Sequence, residues 1–150
     1  MTASIRLCIT ALVLTSAFVA HANPPEGEIT TIERYSLILY DFDSAEPGRM
    51  NQRILDDHVL PEINANTEIS IAGYSDVVGQ EEHNYRLALA RATRIATLIR
   101  RALGPEGYKS LEATAYREED APYRYDLSEG RMFSRTVIIT LKKRGVPTGN

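Results

Sequence analysis

The sequence has no tryptophan, three phenylalanines, three histidines and one cysteine in 150 residues. That cysteine, Cys8, lies in the first apolar stretch, so no disulfide framework is available. The apolar stretch, Leu7–Ala20, is also the longest in the chain. As a helix its 14 residues would reach about 21 Å at ~1.5 Å per residue, short of a bilayer's roughly 30 Å core. Net charge is nearly absent, at −3, which speaks against a nucleic-acid partner, since that would need a clustered basic surface. What remains, 43% apolar and 25% charged residues, is the make-up of one ordinary globular domain.

The start of the chain reads as a secretory signal peptide over residues 1–22. Met1–Arg6 carries one positive charge, Leu7–Ala20 is the apolar region, and Ala20-His21-Ala22 is a small-x-small cleavage site. Cys8 follows Arg6-Leu7 rather than small residues at a cleavage point, so no lipid anchor is expected. Removal of the segment would take away Cys8, His21 and Arg6, leaving a charge of 16 − 20 = −4. A cysteine-free exported chain must then be held together by its core alone.

Residues 23–30, with Pro24, Pro25 and Gly27, read as a flexible leader. The run from Leu37 to Phe42 is apolar apart from Asp41 and suggests a strand buried on both faces. Asp43–Gly48 is a turn. Met50–Asn66 has helical periodicity, with Ile54, Val59 and Ile63 as anchors and Pro61 expected to kink or shorten it. Thr67–Ser75 alternates as a strand. Gln80–Leu103 is the clearest helix: Ala88, Ala92, Ile95, Ala96, Ile99 and Leu103 form one stripe, and acidic and basic ends suit the helix dipole. Ser110–Tyr116 and Thr136–Leu141 are further strands, separated by a long polar connection.

The order is βαβαββ. It predicts an α+β two-layer sandwich, one mixed sheet of about four strands covered on one face by helices. The first half is expected to pair parallel through right-handed crossovers, and the second half antiparallel. The domain is bounded at 31–143, and 144–150 reads as a disordered tail.

The chemistry concentrates in Gly73–Ala92, "GYSDVVGQEEHNYRLALARA". Asp76 falls in a turn. Asn84 and Arg91 lie within about 20° of one another on the following helix, roughly 10 Å apart along its axis. Helical side chains lean toward the N-terminus, which sends the Arg91 guanidinium toward Asp76. A carboxylate, an amide, a guanidinium and a helix N-terminus suit a zwitterionic ligand. The plainer reading, favoured by spacing alone, has Asp76 capping its turn and pairing structurally with Arg91.

The stretch resembles the signature of the OmpA C-terminal-like domain family, G-H/Y-T-D-x-x-G followed by N-x-x-L-S-x-x-R-A. "YDFDSAEP" (Tyr40–Pro47) resembles that family's opening F-x-F-D-S-A, and "EGRMFSRTVIITL" (Glu129–Leu141) its ending E-G-R-x-x-N-R-R-V. The resemblance covers roughly residues 34–143. It implies a non-enzymatic module without cofactor or metal that binds peptidoglycan non-covalently through the diaminopimelate of the peptide stem. By the same resemblance Asp76 holds the ammonium, Arg91 holds the carboxylate and Asn84 orders the pocket; Asp43, Tyr74, Ser75 and Arg135 are supporting candidates. It further implies a periplasmic location, at the outer membrane or cell wall of a diderm bacterium, with an envelope protein as a second kind of partner. Three departures stand out: Ser75 replaces threonine, Ala88 replaces serine, and Ser134-Arg135-Thr136 stands where N-R-R is usual. The last motivates a second reading, a protein-interaction or structural module whose peptidoglycan binding is weakened or lost.

An enzyme is not expected. After signal removal only His58 and His83 remain, at no metal-ligand spacing, and Ser75 has no surrounding nucleophile elbow.

Overall fold

The computed structural model describes residues 29–120 and 127–145. The segment read as a signal peptide, most of the leader, part of the long polar connection and the end of the tail lie outside the described residues.

Four strands form one mixed sheet in the order β1-β4-β2-β3. They are β1 (Ile29–Leu37), β2 (Thr67–Gly73), β3 (Ser110–Ala115) and β4 (Val137–Gly145). The helices are α1 (Arg49–Ile54), α2 (Glu81–Leu103) and a short α3 (Ser128–Ser134). α1 continues through a π turn at Leu55–Val59 and a 3-10 turn at Leu60–Glu62.

The sheet pairing departs from the expected parallel first half. β4 runs antiparallel to both β1 and β2, so it separates the two strands expected to be neighbours; β2 and β3 are the parallel pair. The physical reason lies in the strands themselves. Val137–Leu141 is the most apolar strand and takes a central place with both edges paired, while the polar β1 takes an edge.

The first strand is also displaced. It begins at Ile29 and ends at Leu37, where the reading from apolarity began, and β4 runs to Gly145, so the sheet reaches into the segments read as leader and tail. Leu37 and Tyr40 are indeed buried, but residues 38–42 are not strand: Leu39 has φ 58° and Asp43 φ 53°, which turn the chain out of the sheet. Of this loop only Tyr40 is buried; Leu39 and Phe42 are exposed.

The core lies between one sheet face and the helices. Ile69 and Ile71 of β2 stand opposite Leu141 and Ile139 of β4. They meet Ala92, Ile95, Ala96 and Ile99 of α2, all fully buried. In the first helical segment the buried apolar residues are Leu55 and Val59, with Ile63 at the margin and Ile54 only partly covered. The helix narrows to a 3-10 turn at Pro61, as its missing amide proton requires.

At one point strand and helix approach without room for a side chain. A Cβ on Gly73 would stand 2.0 Å from the Ala88 carbonyl oxygen. The glycine of the motif and the small residue at 88 together let α2 sit down on β2, placing the helix N-terminus beside the turn that carries Asp76.

Candidate functional site

Arg91 is the largest fully buried side chain among the described residues. Its guanidinium donates from Nε to the Ser44 carbonyl (2.8 Å), from Nη1 to the Tyr74 carbonyl (3.1 Å) and from Nη2 to the Asp41 carbonyl (3.1 Å). It stacks over the Tyr40 ring, 5.2 Å from the centroid. Burial lowers its pKa to about 10, opposed by Tyr40 and by the charge of Asp76, so it remains a cation at neutral pH. Burial also raises the Tyr40 phenol well above its ordinary value.

These contacts fix the loop after β1 to the end of β2. The Asn51 amide adds a bond to the Ile38 carbonyl (2.8 Å), and the Thr136 hydroxyl one to the Leu37 carbonyl (2.9 Å). The same loop holds the two left-handed residues, Leu39 and Asp43. A leucine there is strained and persists only where its surroundings impose it.

A small cleft of about 20 Å³ lies beside this anchor. Asp76, Ser75, Asn84, Arg91 and Arg135 line its floor and walls; Asp43, His83, Phe42, Val78 and Leu87 complete it. The three residues singled out as a clamp, Asp76, Asn84 and Arg91, are thus together and all nearly inaccessible, as is Ser75. Of the supporting candidates, Asp43, Ser75 and Arg135 share the cleft. Tyr74 does not line it: its ring stacks on Tyr116, with centroids 5.2 Å apart, and its part in the site is its carbonyl.

Asp76 caps its own turn, accepting the Val78 N–H at Oδ1 (3.3 Å). Its salt bridge is to Arg135 (Oδ2–Nε, 3.8 Å), whereas Arg91 donates to main-chain carbonyls. The structural pairing expected between Asp76 and Arg91 is therefore replaced by one reaching across from the end of α3. That helix lies in the stretch read as a polar connection.

Sequence reasoning also missed the pair at the mouth of the cleft. His83 Nε2 lies 2.6 Å from Asp43 Oδ1, both about half exposed. No local signal joins residues 40 positions apart; only the fold does.

The Ser134-Arg135-Thr136 departure is absorbed locally. The Ser134 hydroxyl donates to the Gly130 carbonyl (2.9 Å), Thr136 is buried with its hydroxyl bonded, and Arg135 alone faces the cleft.

The fold has close parallels among solved structures. The peptidoglycan-associated lipoprotein from Burkholderia pseudomallei superposes with a TM-score of 0.60 at 22% identity, covering 71% of this chain and 88% of that one. The fold is that of the OmpA C-terminal-like domains. The C-terminal domain of Helicobacter pylori MotB matches at TM-score 0.56 and 16% identity over 71% of this chain and 83% of that one. The cell wall anchor of the T6SS from Pseudomonas aeruginosa matches at 0.54 and 19% over 76% and 87%. No family model matches the sequence, and no curated protein matches it. At these identities the OmpA-like likeness is one of architecture.

Among the described residues no cluster of His, Cys, Asp and Glu could hold a metal, and no helix is long and apolar enough to cross a membrane.

Proposed function

We propose that this chain is a peptidoglycan-binding module of the bacterial envelope, acting by non-covalent binding and not as an enzyme. The observation that carries the reading is the buried Asp76 carboxylate facing two guanidiniums in a small cleft, on a fold shared with a peptidoglycan-associated lipoprotein and a cell wall anchor. The cleft, at about 20 Å³, is far below the ~300–1,000 Å³ of a typical ligand pocket, so at most the tip of a side chain presented by a polymer reaches it. Opposite charges a few ångströms apart suit a terminus bearing both an ammonium and a carboxylate. The diaminopimelate of a peptide stem has that chemistry. Asp76 takes its ammonium, Arg91 and its neighbours supply the field for its carboxylate, and Asn84 shapes the wall between them.

The signal-like segment at residues 1–22 supports delivery to the periplasm, where such a module would meet the wall at or near the outer membrane. The reading is tested by co-sedimentation of the purified protein with diaminopimelate-type peptidoglycan, beside Asp76→Ala. We expect wild type to pellet and the folded variant to lose on the order of 10- to 100-fold in affinity, as removal of a charged hydrogen-bond partner implies. Wild type remaining in the supernatant would refute this reading. It would favour the second one, an OmpA-like module working through an envelope protein partner, which the internal Asp76–Arg135 pairing supports.

A further inference from the structure

Among the described residues β1 pairs on one side only, with β4, and its other side is an edge of the sheet. The strand is nine residues long, against about 5–6 for a common strand, and its pairing with β4 runs without a bulge. It holds no proline, glycine or lysine to blunt the edge, and its charges are Glu33 and Arg34. Thr30, Thr31, Ile32, Arg34 and Ser36 are all exposed. Ile32 is the outlier among them, a large apolar side chain left 62% exposed in mid-strand. It lies five residues from the buried Leu37 and opposite Lys142, so it points away from the helix layer.

Unpaired N–H and C=O groups along such an edge are a template for another strand. Two copies meeting antiparallel at the same edge are related by a two-fold axis normal to the sheet. That axis keeps both helix layers on one side, so outward side chains stand opposite outward ones and the residue on the axis faces its own copy. Registers that use most of the strand have the axis at Ile32, Glu33 or Arg34. The axis at Glu33 sets two carboxylates side by side, and the cation beside each, Lys143, is already shared with Glu62. The axis at Arg34 sets two guanidiniums side by side. Like charges directly opposite one another destabilise a strand pair. The axis at Ile32 sets isoleucine against isoleucine, Arg34 beside Thr30 and Glu33 beside Thr31, with no like charges opposed. We propose that this chain self-associates through β1 in that register, a second copy covering Ile32 and extending the sheet, while Glu33 and Arg34 exclude the two neighbouring registers. The inference is independent of the peptidoglycan reading. Within that reading it adds a consequence: the two-fold sends the two clefts to opposite ends of the joined sheet, and two sites on one polymer raise avidity without any new contact.

Cys8 is the chain's one cysteine, so in a Cys8→Ser background each introduced cysteine is the sole thiol. Under mild oxidation Ile32→Cys should link to its own copy, because the axis brings the two residues side by side. Ser36→Cys, on the same face and also exposed, should stay unlinked, since four residues on either side of the axis at ~3.4 Å each put its copies about 27 Å apart. A mixture of Thr30→Cys and Arg34→Cys chains should form the mixed dimer in preference to either homodimer. By sedimentation equilibrium wild type should show a monomer–dimer equilibrium. Ile32→Lys, which sets two ammoniums on the axis, should raise its dissociation constant by about tenfold or more with an unchanged circular dichroism spectrum. Wild type that stays monomeric at millimolar concentration would overturn the inference. So would a dimer indifferent to Ile32→Lys, or Ser36→Cys linking as fast as Ile32→Cys. Absence of peptidoglycan binding would leave all of these outcomes where they are.

Discussion

Replacing Arg91 by alanine should unfold a large part of what the domain can spare. The guanidinium is fully buried and satisfies the carbonyls of Ser44, Tyr74 and Asp41. Its removal leaves three part-buried acceptors without donors, each costing up to about 1–3 kcal/mol. The Tyr40 stacking contact is lost as well, at ~0.5–2 kcal/mol. Against this stands relief of the desolvation that already depresses the arginine's pKa, together with water entering the cavity. A net loss of about 3–5 kcal/mol is the expected result, a large share of the ~5–15 kcal/mol that a domain has in total. Urea unfolding followed by circular dichroism measures it directly, with Arg91→Lys as companion. Lysine restores the charge without the planar fork, so it should recover only part of the loss. A shift below about 1 kcal/mol for Arg91→Ala would refute the argument, because the carbonyls would then have found other donors at no cost. The result also governs how binding data are read. Loss of peptidoglycan binding in an Arg91 variant says nothing about ligand contact until the variant is shown to be folded.

Two further outcomes follow from the packing and the surface charges. Gly73→Ala places a methyl 2.0 Å from the Ala88 carbonyl oxygen, a backbone atom that cannot swing aside; a loss of ~1–3 kcal/mol or more is expected, read as a fall in thermal midpoint, and an unchanged midpoint would show that α2 can lift from β2 freely. At the far end of the same sheet face, Lys143 Nζ binds Glu33 (2.9 Å) and Glu62 (2.8 Å). The bond from Lys143 lowers the Glu33 pKa below 4.5, and although burial works against the ammonium, the bonds to Glu62 and Glu33 raise the Lys143 pKa above 10.5. A lowered carboxylate pKa gives stability present above its unfolded value and lost as pH falls through the folded one. A raised lysine pKa gives stability present below its unfolded value and lost as pH rises through the folded one. The urea midpoints of wild type and Glu33→Gln should therefore differ modestly at neutral pH and converge in strong acid. A gap that persists there would tie the substitution to packing instead of charge.

Periodicity located the long helix because its apolar stripe is a property of neighbours three and four apart, which a helix brings together whatever the rest of the chain does. The Asp76, Asn84 and Arg91 constellation was legible for the same reason: turn and helix are contiguous, and one short segment carries the geometry. The acidic and amide groups reached the cleft where the spacing sent them. Arg91 was placed correctly but its partners were not, since they are carbonyls from residues 41 and 44, supplied by a loop with no side-chain signature for that task.

Local sequence could not decide strand order. Alternation says which face of a strand is buried but not which strand lies beside it, and β4 enters between β1 and β2 only when the last segment returns. The same return brings Arg135 to within 3.8 Å of Asp76, and the loop after β1 brings Asp43 to His83. The chain by itself therefore determined the long helix with its buried stripe, the three later strands and the short motif that begins the site, but not the first strand's place or α3. Tertiary structure decided which charges face each other across the cleft, because contacts between residues 40 or more positions apart are set by the packing of whole elements and leave no trace in local spacing.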